Sequence, residues 1–231
     1  MMENNWFIDP RHTLAVWEGF TYDYNYPKSD FMMDILTVLF KVGKYTKLLY
    51  ANEAFDECML IKQMVNTDKI YNLYDLSNDI GYDFFQELYV YKENNIIIEE
   101  FGYQTTEKIL NNLNHPEKSK YKRLIPLKIS ICRQSIAISL HSDIFFPYVI
   151  CPWKWEKKYD DDLVMEIPRP VDFKKYGFDN KLIADANTNR LNILIQEIKS
   201  VVTNHTNFYW QCTVSDMSLY SHMYDENGIF L

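Results

Sequence analysis

Residues 187–205 read Asn187-Thr188-Asn189-Arg190-Leu191-Asn192-Ile193-Leu194-Ile195-Gln196-Glu197-Ile198-Lys199-Ser200-Val201-Val202-Thr203-Asn204-His205. Leu191, Leu194, Ile195, Ile198, Val201 and Val202 recur at the i, i+3, i+4, i+7 spacing of a single helix face. Asn189, Asn192, Gln196, Lys199 and Thr203 supply the polar face. Asn187 or Thr188 is the expected N-cap, because a short polar side chain accepts the first orphan N–H groups. Lys199 and His205 bring positive charge towards the C-terminal end of the helix dipole. A long amphipathic helix needs an apolar surface beneath it, and the rest of the chain supplies strands.

The clearest of these run from Ile125 to Leu140. Ile125, Leu127, Ile129 and Ile131 alternate with polar or small residues, as do Ile136, Ile138 and Leu140, which predicts a hairpin around Arg133-Gln134. Leu88 to Lys92 and Ile96 to Phe101 flank Glu93-Asn94-Asn95 as a second hairpin. Leu14 to Trp17, Tyr45 to Tyr50, Phe145 to Cys151 and Phe208 to Val214 read as further strands, Pro147 marking an edge or a bulge. Beyond Trp17, Tyr22, Tyr24 and Tyr26 keep a period of two until Pro27 and form either a recognition surface or a half-buried strand face.

Two more helices are expected. One starts at a Ser29 cap, carries Phe31, Met32, Ile35, Leu36 and Leu39, and stops at Gly43; the other runs from an Asn52 cap to about Val65. A short helix is read from Thr105 to Leu113. Residues 67–86 read as irregular, and 152–181 as a long crossing marked by Asp160-Asp161-Asp162 and Pro168-Arg169-Pro170. The expected fold class is α+β. A single domain spans 1–231, with an antiparallel sheet built largely from 86–151 and 207–214 and helices near 30–42, 52–65 and 188–204 packed on one face.

Composition bounds the function. The chain has only 6 Gly and neither GxGxxG nor GxxxxGK[ST], so no phosphate-cradling nucleotide loop is expected and no cofactor is assigned. The net charge of −8 lies in the first half, where residues 1–116 carry 9 Lys+Arg against 18 Asp+Glu. Such a field disfavours nucleic acid and favours basic partners. Lys118, Lys120, Lys122 and Arg123 form the one basic cluster and read as a solvated loop. Cys58, Cys132, Cys151 and Cys212 form no CxxC pair, and the N-terminus lacks the basic and apolar regions of a signal peptide. With no long uncharged apolar run, the expectation is free thiols in a cytoplasmic protein away from membranes.

Candidate chemistry is sparse. His141-Ser142-Asp143 could be a general base with its orienter or a pair of metal ligands, or simply a capped strand end. The 160–162 aspartates lack the spacing and glycine of a calcium loop. Neither HExxH nor GxSxG occurs, and Glu197-Ile198-Lys199 falls mid-helix. Cys212, Asp216 and His222 have no spacing that specifies a thiol site. No catalytic and no metal-ligating residue is assigned.

Asp68 and the run Tyr71, Tyr74, Asp75, Asp79, Tyr82, Asp83 and Glu87 interleave carboxylates with tyrosines. The pattern suits a docking surface for a basic protein, giving steering charge with aromatic anchors; the competing reading is a turn-rich link with its rings turned inward. The expected function is therefore a non-catalytic, cytosolic protein-binding module, an acidic immunity or antitoxin-like inhibitor that occludes a basic partner such as a bacterial toxin. The alternative is an enzyme, for example a metal-dependent hydrolase, with a site near His141 and Asp143.

Overall fold

The computed structural model describes residues 6, 13–23, 28–56, 79–101, 126–132, 134–149, 177–214 and 220–231. In chain order these form β1 (Ala15–Thr21), α1 (Lys28–Thr46), β2 (Leu49–Asp56), β3 (Asp79–Lys92), β4 (Asn95–Phe101), β5 (Leu127–Cys132) and β6 (Ser135–Leu140). A 3-10 turn (Asp143–Phe145) follows, then β7 (Tyr148–Val149), β8 (Phe178–Asp179), α2 (Lys181–Asn204), β9 (Phe208–Val214), β10 (Tyr224–Asp225) and β11 (Gly228–Ile229). Seven strands make one antiparallel sheet in the order β2-β3-β5-β6-β1-β9, with β4 also paired to β3. The α+β class and the antiparallel sheet are as the sequence reading expected.

The stretch that decided that reading is the helix that covers the sheet. Leu191, Leu194, Ile195, Ile198 and Val202 of α2 are all buried, and Val201 is half-buried. Burying each such side chain stabilises by roughly 1.5–3 kcal/mol. Beneath them β1 alternates, with Ala15, Trp17, Gly19 and Thr21 inward. A Cβ on Gly19 would meet Val202 Cγ2 at 2.5 Å, so the glycine lets helix and sheet close on one another. Phe31, Ile35, Leu36, Leu39 and Val42 bury one stripe of α1, which packs on α2. Phe31 stacks on Phe208 with centroids 4.1 Å apart, and His205 Nε2 lies 3.0 Å from Asp34 Oδ2, tying α1 to the end of α2.

Three buried or half-buried carboxamides finish what the ladders leave open. The β3–β5 ladder covers only Asp79 to Gly81. Further along, Gln86 donates to the Leu127 carbonyl (2.5 Å) and accepts from the Leu127 N–H (2.9 Å), imitating a strand partner. Asn187 does the same for Tyr89, at 2.9 and 3.0 Å, just past the end of β2. Asn192 does it for Ile229, at 2.9 and 2.8 Å. Gly228, at φ +129°, leaves room for the Asn192 side chain that a Cβ would strike. The logic is common to all three: a buried peptide group without a partner costs more than a hydrogen bond gains.

Several local expectations give way to these tertiary demands. The second helix expected from Asn52 to Val65 is strand β2 through Asp56, and residues 57–65 lie outside the described set. Its pairing with β3 overrides the local helix signal, and Asn52 sits at a register shift between Ala51 and Glu53. Residues 79–86, expected to be irregular, belong to one 14-residue strand because β2 and β5 flank them. The helix expected to stop at Gly43 continues to Thr46, so Ser29 falls inside its first turn. Gly43 is needed because a Cβ there would strike the Leu49 carbonyl. Lys47, at φ 54°, ends the helix instead, and the strand expected from Tyr45 begins at Leu49.

The long helix starts at Lys181, with Asn180 at the cap position. Asn180 spends its amide on the Ile144 and Phe146 carbonyls, both at 3.0 Å. Thr188 donates to the Phe145 carbonyl at 2.5 Å, so neither expected cap residue serves as one. The strand expected from Phe145 is a 3-10 turn followed by β7, which pairs with β8; Ser142 Oγ accepts from the Ile144 N–H and starts that turn. The expected crossing over 152–181 therefore ends in β8 and the first residue of α2. The C-terminal segment is tied down: the Trp17 indole donates to the Asp225 carbonyl at 2.7 Å and the Tyr224 hydroxyl to the Leu14 carbonyl at 2.6 Å. The Thr105–Leu113 helix and the 118–123 cluster lie outside the described residues.

Gln86→Leu keeps the side-chain size and orphans both the N–H and the C=O of Leu127. The expected cost is about 1–3 kcal/mol for each group, read as a lower urea midpoint. A loss below 1 kcal/mol would show that the clasp is dispensable.

Candidate protein-docking face

The β3–β4 hairpin carries the surface with most recognition chemistry among the described residues. Its turn is Glu93-Asn94, at φ 50° and 69°, two consecutive positive values that give the tight reversal whose twist suits a hairpin. Lys92 therefore pairs with Asn95, and the ladder continues Tyr91↔Ile96, Val90↔Ile97, Tyr89↔Ile98, Leu88↔Glu99, Glu87↔Glu100 and Gln86↔Phe101. Gln86, Leu88 and Val90 are buried, so Glu87, Tyr89 and Tyr91 take the opposite face. Across from them stand Ile96 and Ile98, exposed at 42% and 41%, and the exposed Glu100. One face thus presents two carboxylates, two phenols and two branched aliphatic side chains. Like charges set directly opposite on a ladder oppose folding, and Glu87↔Glu100 is such a pair.

The base of this hairpin is fixed firmly. Phe101 is fully buried and meets Trp6 edge-on at 5.8 Å. Arg190, from α2, donates to the carbonyls of Thr46 (2.7 Å), Lys47 and Glu87 (2.7 Å), and its guanidinium lies 5.2 Å from the Tyr89 ring centre. Burial pushes the Arg190 pKa down, while Tyr89 and then Glu87 push it back up. Burial first, and the Asp179 carboxylate second, raise the Tyr91 phenol above its ordinary value, which keeps it a neutral hydrogen-bonding group. Lys92 pairs with Glu99 at 3.6 Å on the surface, a contact worth little by itself.

The sequence-derived docking residues fall as follows. Glu87 is on this face and half-buried. Asp79, Tyr82 and Asp83 are on the β3 backbone, opposite Cys132, Ala54 and Glu53 in register, and positions 79, 83 and 87 share a face by the strand period. Asp83↔Glu53 is thus a second position where two acidic residues oppose across a ladder. Tyr71, Tyr74 and Asp75 lie outside the described residues, as do Asp68 and Asp160–Asp162. The sequence reading missed Ile96, Ile98 and Glu100, whose signal was the unbroken apolar run Ile96-Ile97-Ile98 with no alternation.

Two of the groups considered for chemistry, His141 and Asp143, lie just past the end of β6 and in the 3-10 turn that follows it. Asp143 is buried, and its Oδ2 accepts from the Tyr220 hydroxyl at 3.0 Å; Tyr220 in turn stacks on Phe146 at 4.3 Å. His141 is half-buried, and its backbone N–H donates to the Pro126 carbonyl at 2.8 Å. Among the described residues no group of three or more His, Cys, Asp and Glu could hold a metal ion, and no helix is long and apolar enough to cross a membrane. Tyr22, beyond the end of β1, is exposed and packs with Phe20 (5.3 Å) and Tyr209 (5.8 Å) in a smaller ring cluster; Tyr24 and Tyr26 lie outside the described residues. Comparison with known proteins finds no family model, no curated protein and no solved structure that matches this chain.

Cys212 gives a testable property of the same fold. Burial first, then Asp225 and Glu226, push its thiol up to about 12. At pH 8 only about one molecule in ten thousand then carries the thiolate. Iodoacetamide should label Cys212 over a thousand times more slowly in the native protein than in urea, read by peptide mass spectrometry; comparable rates would refute the shift. A raised pKa also means stability that is present below pH 9 and is lost as the pH climbs towards 12.

Proposed function

We propose that this chain is a non-catalytic protein-binding module that docks a basic partner protein, as an immunity or antitoxin-like inhibitor covers the cationic cleft of a toxin. The observation that carries the reading is the β3–β4 register. It concentrates Glu87 and Glu100 on one face with Tyr89, Tyr91, Ile96 and Ile98. Two carboxylates at directly opposed ladder positions favour a cation beside them. The flanking aromatic and aliphatic groups supply anchors that a solvated charge patch lacks. The acidic excess of the first half of the chain adds long-range steering towards a basic partner.

The test neutralises Asp75, Asp79, Asp83 and Glu87 together as D75N, D79N, D83N and E87Q. The partner is first captured from native host extract at low salt and purified. Affinity should fall by at least about tenfold, with a shallower salt dependence than wild type. Unchanged affinity with unchanged salt dependence would overturn the acidic-face reading.

A further inference from the structure

We propose that the outer face of β6, β1 and β9 is a second docking surface, which takes an arginine side chain from a protein segment. The inference goes beyond the β3–β4 reading and does not depend on it: β5 and β6 stand between β3 and β1 in the sheet. Strand register assembles the face. Ala15, Trp17, Gly19 and Thr21 turn inward, Gly19 against Val202 of α2, so Val16, Glu18 and Phe20 take the outer side. Glu18 lies between Ala137 of β6 and Gln211 of β9, and Phe20 between Ser135 and Tyr209.

Three rings meet at one end of this face. The Phe20 centroid is 5.3 Å from Tyr22 and 6.0 Å from Tyr209, and Tyr22 is 5.8 Å from Tyr209. Phe20↔Tyr209 is an ordinary cross-strand pair that steadies the sheet. Tyr22 is not, because the β1–β9 ladder stops at Thr21↔Phe208. Tyr22 stays 72% exposed and Tyr209 53%, which leaves aromatic surface open beside a carboxylate. Such surface attracts a cation.

The carboxylate is Glu18. Its Oε2 accepts from the Gln211 amide at 3.1 Å and from the Thr213 hydroxyl at 3.5 Å. Both donors are neutral, so they hold the group in place and leave its charge uncompensated. Glu18 is the one charged residue in β1, β6 and β9. It forms no salt bridge among the described residues. Lys128 reaches the same side of the sheet from β5, opposite Ser139 and two strands from β1.

Glu18 and Tyr209 are diagonal neighbours, about 7–8 Å apart. A guanidinium can stack on a ring and fork onto a carboxylate at once, whereas an ammonium is a compact, strongly hydrated point charge. Arginine is therefore the better fit. Nucleic acid would bring phosphate against the Glu18 charge. A small guanidinium compound needs a concave site that buries most of its surface. Ser135, Ala137 and Ser139 of β6 add no bulky wall, so the remaining contacts must come from the chain that carries the arginine.

The test titrates the full chain, nitrogen-15 labelled, with a capped peptide Gly-Thr-Arg-Thr-Gly and with its lysine and citrulline counterparts. Citrulline keeps the planar group and removes the charge. The arginine peptide should bind at least about fivefold tighter than either, with amide shifts centred on Glu18, Phe20, Tyr22 and Tyr209. Glu18→Gln and Tyr22→Ser should each erase that preference, and the wild-type comparison decides the matter even if a variant does not fold. Equal binding of the arginine and lysine peptides, or of the arginine and citrulline peptides, would overturn the site. So would binding of none of them. Shifts confined to the β3–β4 hairpin would overturn this site and leave the docking reading standing. N-acetylarginine amide binding as tightly as the peptide would overturn the protein segment as occupant.

Discussion

The fold depends on side-chain amides that stand in for missing strands. A sheet can be completed only where another strand lies alongside, and β3 outruns its neighbours on both edges. Gln86 fills one interruption, at Leu127, and Asn187 fills another, at Tyr89. Asn192 holds the C-terminal hairpin through Ile229 in the same way. Each carboxamide offers one donor and one acceptor in the spacing of a peptide group, so one side chain satisfies both backbone groups of a residue. Without them, burial of those segments would trade hydrophobic gain against orphaned N–H and C=O groups.

Two of the three amides sit on α2, which also delivers Arg190 to the carbonyls of Thr46, Lys47 and Glu87. The helix thus does two jobs. Its apolar stripe closes the core, and the polar residues beside that stripe lock the end of α1 and one edge of β3. Locking that edge gives the hairpin a direction. Phe101 anchors the base of the hairpin in the core beside Trp6.

Two features of the β3–β4 hairpin face stand out. Glu87 and Glu100 oppose each other in register, and Ile96 and Ile98 stay exposed. On the proposed function, both are features that a partner bringing positive charge and apolar surface would cover. Asp143, by contrast, is drawn into the core by the Tyr220 hydroxyl, which gives a buried carboxylate the hydrogen bond it needs.

By itself the sequence determined the α+β class, the covering helix and the hairpins at 127–140 and 88–101, because period and turn chemistry are local properties. Glu87 was legible as part of an acidic, tyrosine-rich stretch for the same reason, through the composition around it. Its partners Glu100, Ile96 and Ile98 were not, since strand register is set by pairing and leaves no mark in composition. The helix start was misplaced because Asn187 and Thr188 look like caps and are spent on Tyr89 and Phe145, residues 98 and 43 positions away. The strand at Leu49–Asp56 was hidden because its pairing with β3 overrides an Asn52 cap signal. Only the tertiary structure decided how β3 is closed beyond the end of β2, since that depends on where α2 places Asn187 and Arg190.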